Sequence, residues 1–255
     1  MINYEVKNRI AYITFNRPEK RNALSFDMVS HIMVNLNEAI ADDGVRAIVF
    51  MGAGKAFCSG ADLESLQQMQ SNTFDQNLAD SKHLLNLFQL IHSCPKLTIA
   101  AVDGPALAGG CGLATLTDFT FASEKALFGY TEARIGFIPA LVSVYLTRKI
   151  GETKAKHLLL NAAILSPEEA KDYDLVYQIV PSEQLSETVT AFAEKLVTQN
   201  SGSSIALTKE LMIATEHLEL TEALEAAATA NANARASADC QKGIASFLEK
   251  TTPSW

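Results

Sequence analysis

The chain of 255 residues is 48% hydrophobic and 20% charged, and its formal net charge is −8. This composition excludes a disordered chain. The acidic balance argues against nucleic-acid and membrane-surface binding, which need a basic surface. The N-terminal residues lack the basic and apolar regions of a signal peptide, and the four cysteines have no CxxC spacing. We therefore expect a cytoplasmic protein with free thiols.

The first half of the chain predicts alternating strands and helices. NYEVKNR and IAYITFN alternate in polarity around a turn, which is typical of a β-hairpin. Ser25 is the expected N-cap of a helix over 26–40, whose apolar face would begin with Phe26. The next elements are, in order, a strand in RAIVFMG, a loop in GAGKAFCSGAD, a short helix LESLQQM capped by Asp62, a longer helix over 74–92 and a strand in KLTIAAV.

The second half becomes helical. A glycine-rich segment, DGPALAGGCGLA, follows the strand KLTIAAV and should start a helix near 110–117. Short strands are expected in FTFAS, LFGY and LVYQIV, and Ser166 followed by Pro167 predicts another helix start. Three or four helices complete the chain, including an Ala-rich segment that could pack closely against a partner helix or subunit. The sequence therefore predicts an α/β core with a helical C-terminal part.

Three familiar motifs are incomplete in this sequence. GAGKAF lacks the first glycine and the Ser/Thr of a phosphate-binding loop, because Val49 and Ala56 occupy those positions. AFCSGA lacks both glycines of a nucleophile elbow. The five histidines show no HExxH spacing, so we expect no metal site.

Two apolar strands end in loops of small residues that start helices: IVFMGAGKAFCSGADL and IAAVDGPALAGGCGLA. A helix start exposes unpaired N–H groups, and glycine and alanine let a ligand approach the backbone. Two such N–H groups directed at one point form an oxyanion hole. The alternative is that these glycines only allow close packing. Because the pattern occurs twice, we favour a functional interpretation.

Five sequence blocks, taken together, resemble the enoyl-CoA hydratase/isomerase (crotonase) family. They are NRPEKRNALS, GAGKAFCSGADL, AAVDGPALAGGCGLA, ALFGYTEARIGFIPA and KGIASFLEK, in the family's order. The resemblance implies an α/β fold, a crotonase-like spiral of ββα units over 1–195 with a helical C-terminal trimerisation region over 196–255. It also implies a homotrimer or homohexamer that acts on an acyl-CoA thioester. Coenzyme A would be part of the substrate, with no separate cofactor.

The resemblance assigns site residues by position. The oxyanion-hole donors would be the backbone N–H groups of Ala61 and Gly109, and Glu132 would be the catalytic carboxylate. Tyr130 and Phe137 could line the acyl pocket. The other expected substrate- and CoA-binding residues are Lys20, Arg21, Ala23, Ser59, Asp62, Leu63, Gly110, Phe247 and Lys250. Phe247 and Lys250 would close over the CoA of a neighbouring subunit. For each lysine the alternative is an ordinary solvated side chain.

Hydratases of this family commonly use two glutamates, and this chain has one of them. Gly112 in AGGCGL replaces the first, while Glu132 in FGYTEARIG matches the second. A single carboxylate can take a proton and return it elsewhere, which is the task of a Δ3,Δ2-enoyl-CoA isomerase. The segment ARIGFIPALVSVYLTRKIG, however, is similar to methylglutaconyl-CoA hydratase-like members.

We expect hydration of a 2-enoyl-CoA. Other possibilities stay open. They are isomerisation, decarboxylation or thioester hydrolysis with the same oxyanion hole, and a non-catalytic acyl-CoA-binding role. The apolar run after Glu132 should raise the pKa of its carboxyl by burial and so suit a base that works near neutrality. The alternative for Glu132 is a solvated turn residue.

Overall fold

The computed structural model, which describes residues 1–255, begins with the predicted hairpin. Strand β1 (Ile2–Lys7) pairs antiparallel with β2 (Ile10–Phe15). The two residues between them, Asn8 and Arg9, have φ values of 50° and 67°. Positive φ at both positions is the geometry of a type I′ turn, whose twist matches that of the flanking strands. The hairpin prediction is confirmed.

The hairpin forms one edge of a six-stranded sheet. The other strands are β3 (Ala47–Gly52), β4 (Leu97–Val102), β6 (Phe119–Ser123) and β8 (Gln178–Val180). Their order is β1-β2-β3-β4-β6-β8, and every pairing after the hairpin is parallel. All six residues of β4 are buried, as expected for a central strand of a parallel sheet covered on both faces.

A second row of short pairings accompanies the main sheet. Strand β5 (Pro105–Leu107) pairs in parallel with β7 (Leu127–Gly129), and single bridges join Cys58 to Ala106 and Leu24 to Ala61. After most main-sheet strands the chain adds a segment to this second row before a helix begins. This repeated path is the expected spiral of ββα units. Strand β5 was not predicted, because three residues within a glycine-rich segment show no alternation.

The chain also contains eleven helices. They are α1 (Phe26–Ala41), α2 (Leu63–Met69), α3 (Phe74–His92), α4 (Gly109–Leu116), α5 (Ala140–Ile150), α6 (Glu152–Asn161), α7 (Pro167–Asp172), α8 (Leu185–Gln199), α9 (Gly202–Thr215), α10 (Leu220–Arg235) and α11 (Ala238–Leu248). The predicted N-caps Ser25, Asp62 and Ser166 each accept a hydrogen bond from a backbone N–H of the first turn. None of the helices combines the length and the apolar character needed to cross a bilayer.

One prediction for α1 is wrong. Phe26 is 54% exposed, and its ring stacks on the His83 ring of α3 with centroids 3.8 Å apart. The buried face of α1 instead begins with Met28 and Val29 and continues through Ile32. Phe26 therefore lies outside the core, and its ring packs on a side chain of α3.

The two faces of the main sheet carry separate cores. Alternate strand residues pack toward the larger core with α1, α3, α4 and α5, while the others pack against α8. The boundary expected between 195 and 196 falls inside α8, whose Val189, Ala193 and Val197 belong to this second core. Helices α9, α10 and α11 contain no buried residue and expose large apolar side chains.

Candidate functional site

The second row of strands ends at the candidate site. Gly109 lies two residues beyond β5, and Glu132 lies three residues beyond β7. Ala61 lies three residues beyond Cys58, which pairs in parallel with Ala106 of β5. Because neighbouring parallel strands end at the same edge, the structure brings these three segments to one edge of the fold.

The backbone of Ala61 is held by its neighbours while its own N–H stays free. The N–H of Leu24 donates to the carbonyl of Gly60 at 2.7 Å, and the N–H of Asp62 donates to the carbonyl of Leu24 at 3.1 Å. In this parallel pattern the N–H of Ala61 points away from Leu24. Ala61 is also exposed between the buried residues Gly60 and Asp62. A ligand atom can therefore reach this donor.

Gly109 provides a second free donor. It is the first residue of α4, so its N–H has no acceptor within the helix. The preceding residue, Ala108, has φ 49° and ψ −125°, a conformation that is unfavourable for a residue with a Cβ atom. The N–H of Ala108 donates to the carbonyl of Gly129 at 2.7 Å. This contact orients the start of α4 relative to β7, and backbone strain of this kind is common at functional sites.

Two glycines let the two donor segments pack closely. A Cβ atom on Gly110 would lie 2.2 Å from the carbonyl oxygen of Cys58, and one on Gly60 would lie 2.9 Å from the Cβ of Ala108. A Cβ on Gly109 would meet a single side-chain atom, at 3.3 Å. Close packing therefore accounts for Gly110 and Gly60. The position of Gly109 has more room.

Replacing Gly110 with alanine should impair both folding and turnover. The added methyl group would collide with a backbone carbonyl, so we expect a loss of about 1–3 kcal/mol in the free energy of unfolding. The segments carrying Ala61 and Gly109 would also move apart, which should lower kcat. Thermal denaturation and kinetics would test this, with Gly44→Ala in an exposed turn as the control. Normal turnover by Gly110→Ala would show that the spacing of the segments is not critical.

Glu132 brings a partly desolvated carboxyl group to the same edge. It begins a short 3-10 turn (Glu132–Ile135), and its Oε2 atom is buried without a hydrogen-bond partner. Burial raises the pKa of this carboxyl above its ordinary value. The following apolar residues Ile135, Phe137 and Ile138 are at least half exposed, so they form a rim and not an enclosing wall. An unpaired buried carboxyl oxygen is costly, and such groups are concentrated at functional sites.

The space that a glutamate side chain at position 112 would need is occupied by a residue of another helix. A Cβ atom on Gly112 would lie 2.3 Å from Cγ1 of Val142 in α5 and 3.2 Å from Cζ of Phe88 in α3. Val142 is only 5% exposed. A glutamate at position 112 could be accommodated only if Val142 moved. The absence of the first carboxylate is therefore coupled to the close packing of α4 against α5.

The buried thiols and phenol around α4 are protonated at neutral pH. Burial raises the pKa of the Cys58 and Cys111 thiols to about 12, so neither is a thiolate nucleophile. The Tyr130 hydroxyl lies 2.9 Å from Oγ1 of Thr115, and the side chain of Tyr130 is in the core. Its expected part in lining the acyl pocket stays a prediction. No group of three or more His, Cys, Asp and Glu side chains is placed to hold a metal ion.

Two of the predicted CoA-binding residues around α2, Lys20 and Asp62, are paired with other charged side chains of the protein. Nζ of Lys20 donates to Glu64 at 2.8 Å. Nη2 of Arg17 lies 3.0 Å from Oδ2 of Asp62, an ion-pair contact that lacks the angle of a hydrogen bond. The buried carboxylate of Asp62 therefore fixes the loop, whereas Leu63 is exposed at the start of α2.

The remaining predicted residues divide between the loop before α1 and the last helix. The carbonyl of Arg21 accepts a hydrogen bond from the N–H of Ser59 at 3.1 Å, and Ala23 is buried beside them. Phe247 and Lys250 are exposed at the end of α11, which packs on α9 and α10. Closure of these two residues over a neighbouring subunit's CoA stays a prediction.

Sequence reasoning missed Asn22. Its buried side chain accepts from the N–H of Arg17 at 2.9 Å and donates to the carbonyls of Ala53 and Ala56 at 3.0 and 2.7 Å. Asn22 thereby joins the loop before α1 to the loop after β3, the loop that carries Ala61. Its φ of 56° is one that asparagine tolerates better than most residues. The only signal in the sequence is an asparagine within a turn-like segment.

Comparisons with known proteins agree with this arrangement. Residues 5–255 match the family model described as enoyl-CoA hydratase/isomerase. A Thermus thermophilus protein with the provisional name enoyl-CoA hydratase is 43% identical, with 97% of each chain covered. A Pongo abelii protein named mitochondrial enoyl-CoA hydratase is 34% identical over 95% of this chain and 82% of its own length.

A solved structure described as an enoyl-CoA hydratase from Shewanella pealeana superposes with a TM-score of 0.94 at 29% identity. That superposition covers the whole of this chain and 95% of the other. The family match extends over nearly the whole chain, and the two relatives align with 97% and 95% of it. The chain therefore belongs to the enoyl-CoA hydratase/isomerase family and is an enzyme of that family.

Proposed function

We propose that the enzyme hydrates a 2-enoyl-CoA, with Glu132 as its acid/base and the N–H groups of Ala61 and Gly109 as its oxyanion hole. The observation that carries this proposal is the buried, unpartnered Oε2 of Glu132 at the edge where both N–H groups are free. The names of the relatives support the substrate class. The loop segments around Ser59 and Lys20 would then approach the CoA moiety.

In this mechanism the two N–H groups stabilise the negative charge that develops on the thioester oxygen. The Glu132 carboxylate removes a proton from a water molecule as the hydroxyl group bonds to C3 of the substrate. The resulting enolate collapses when the Glu132 carboxylic acid returns that proton to C2. One water molecule is added across the C2=C3 bond, and the carboxylate is regenerated. The proposal needs no cofactor beyond the CoA moiety of the substrate.

A second candidate, Δ3,Δ2-enoyl-CoA isomerisation, is favoured by the apolar contact at Gly112. Val142 and Phe88 occupy the space in which a second carboxylate would help to hold water. A single base suffices to move a proton between C2 and C4 through a dienolate. Membership of an enzyme family speaks against the non-catalytic alternative.

Product analysis distinguishes these reactions. We expect crotonyl-CoA to gain the mass of one water molecule when incubated with the enzyme. If a 3-enoyl-CoA instead becomes a 2-enoyl-CoA without a change in mass, isomerisation is the main reaction. Both candidates would be contradicted if the enzyme forms neither the hydrated nor the isomerised product and instead releases free CoA or carbon dioxide from a panel of acyl-CoA and malonyl-CoA esters.

We also propose that the enzyme is a homotrimer or a dimer of trimers. Three exposed apolar side chains, one from each of the last three helices, support an interface there: Met212, Leu220 and Phe247. Because an isolated chain would leave this surface in water, a second copy of the chain is a suitable cover.

A further inference from the structure

A cavity of about 510 Å³ lies where α4, α5 and α9 meet. Its volume is within the range of pockets that hold small molecules. The lining residues of each helix are spaced three or four apart, so each helix presents one face to the cavity. The apolar lining residues are Leu116, Val142, Tyr145, Leu146, Met212 and Ile213.

The charged side chains around this cavity already have partners. Nζ of Lys209 lies 2.7 Å from Asp118, and Nε of Arg148 lies 2.5 Å from Glu216. Lys149 donates to a backbone carbonyl of α4 at 2.5 Å. The partners in each of the two ion pairs neutralise each other and the Lys149 ammonium is directed at backbone carbonyls, so the six apolar side chains are the part of the lining that suits an apolar occupant.

Gly112 and Val142 connect this cavity with the proposed reaction site. Both line the cavity. Gly112 lies three residues after Gly109 on α4, which is about 4.5 Å along the helix axis. Of the α4 residues that line the cavity, Gly112 is the closest along the helix to Gly109, and Val142 occupies the space beside it where a Cβ atom would lie.

We propose that Val142 limits the length of the acyl chain by closing the reaction site off from this cavity. The occupant would be the distal end of a straight acyl chain, so this inference rests on the proposed acyl-CoA function. A smaller residue at position 142 would let the chain pass between α4 and α5 into the cavity. Each methylene group buried there contributes roughly a factor of four in affinity.

The test compares crotonyl-CoA with 2-decenoyl-CoA. The test quantity is the ratio of kcat/KM for 2-decenoyl-CoA to kcat/KM for crotonyl-CoA. This ratio should be about ten-fold or more higher in Val142→Ala than in the unmodified enzyme. In Val142→Ala combined with Ile213→Trp, the added ring would fill the part of the cavity beside α9 and abolish that gain. Ile213→Trp alone should leave crotonyl-CoA turnover unchanged. Val142→Cys serves the same purpose if Val142→Ala does not fold.

An unchanged ratio in a folded variant that still turns over crotonyl-CoA would overturn the role of Val142 and leave the proposed function intact. A gain that persists in the double variant would also overturn it, because the chain would then lie elsewhere. Calorimetric affinities for butyryl-CoA and decanoyl-CoA provide a readout that needs no turnover. A shift toward decanoyl-CoA in Val142→Ala without turnover of any enoyl-CoA supports the cavity and contradicts the reaction.

Discussion

Glu132→Gln should lower kcat by about three orders of magnitude while the affinity for an acyl-CoA changes only a few-fold. Glutamine keeps the size of the side chain but cannot take a proton from water, and general acid–base catalysis contributes roughly 10²–10⁴-fold. The oxyanion hole is made of backbone groups and is unaffected. Single-turnover kinetics with crotonyl-CoA and calorimetry with butyryl-CoA would measure the two quantities separately.

Glu124→Gln is the matched control, because Glu124 is exposed in the same part of the chain. It should retain the activity of the unmodified enzyme. If Glu132→Gln keeps full turnover, another group is the base and the proposed mechanism fails. If turnover and acyl-CoA affinity are lost together, Glu132 positions the ligand instead of transferring a proton.

The stability of the same variant provides a check on the buried carboxyl. Burial raises the pKa of Glu132 in the folded protein, so the folded state holds this proton more tightly than the unfolded chain does. Between the two pKa values the folded state binds more protons, and stability falls as the pH rises through that window. The stabilisation that comes from this bound proton is fully present below the pKa that Glu132 has in the unfolded chain, and it is lost above the pKa that Glu132 has in the folded protein. Glu132→Gln should therefore equal the unmodified enzyme in stability at acidic pH and exceed it at neutral pH.

Local features of the fold were predictable because they depend on neighbouring residues. Ser25, Asp62 and Ser166 cap helices as expected, since capping needs only a side-chain oxygen and the next turn of backbone. Phe26 was misplaced because the helical period of apolar residues does not show which of them reaches the core in the first turn. The pairing of β5 with β7 was invisible for a similar reason: its register is set by tertiary contacts.

The candidate site was predictable only where its residues belong to a recognisable local segment. The segments that carry the candidate residues Ala61, Gly109 and Glu132 were predicted from small residues after strands and from the family resemblance, and their roles stay predictions. Asn22 joins segments about thirty residues apart, and Val142 contacts Gly112 across a similar separation. Neither contact leaves a local pattern in the sequence. The physical reason for the glycine at 112 therefore emerged only from the packing of α4 against α5.

Introducing the second carboxylate that the family resemblance predicts, with Gly112→Glu, should destabilise the enzyme by about 3 kcal/mol or more and should not increase hydration. The new Cβ would overlap Cγ1 of Val142, and overpacking of this kind costs roughly 1–3 kcal/mol. The carboxylate would also be placed beside Val142 and Phe88, where it lacks a partner. Chemical denaturation would measure the loss.

Combining Gly112→Glu with Val142→Ala should recover part of this loss, because alanine lacks the Cγ1 atom that collides. We expect a coupling energy of about 0.5–3 kcal/mol between the two substitutions. Val144→Ala is the matched control, since Val144 lies two residues away in α5 and is 49% exposed. It should recover nothing. Equal recovery with both alanines would refute the packing explanation. A double variant that hydrates crotonyl-CoA faster than Val142→Ala alone would show that the close packing at Gly112 is what keeps a second carboxylate out of the reaction.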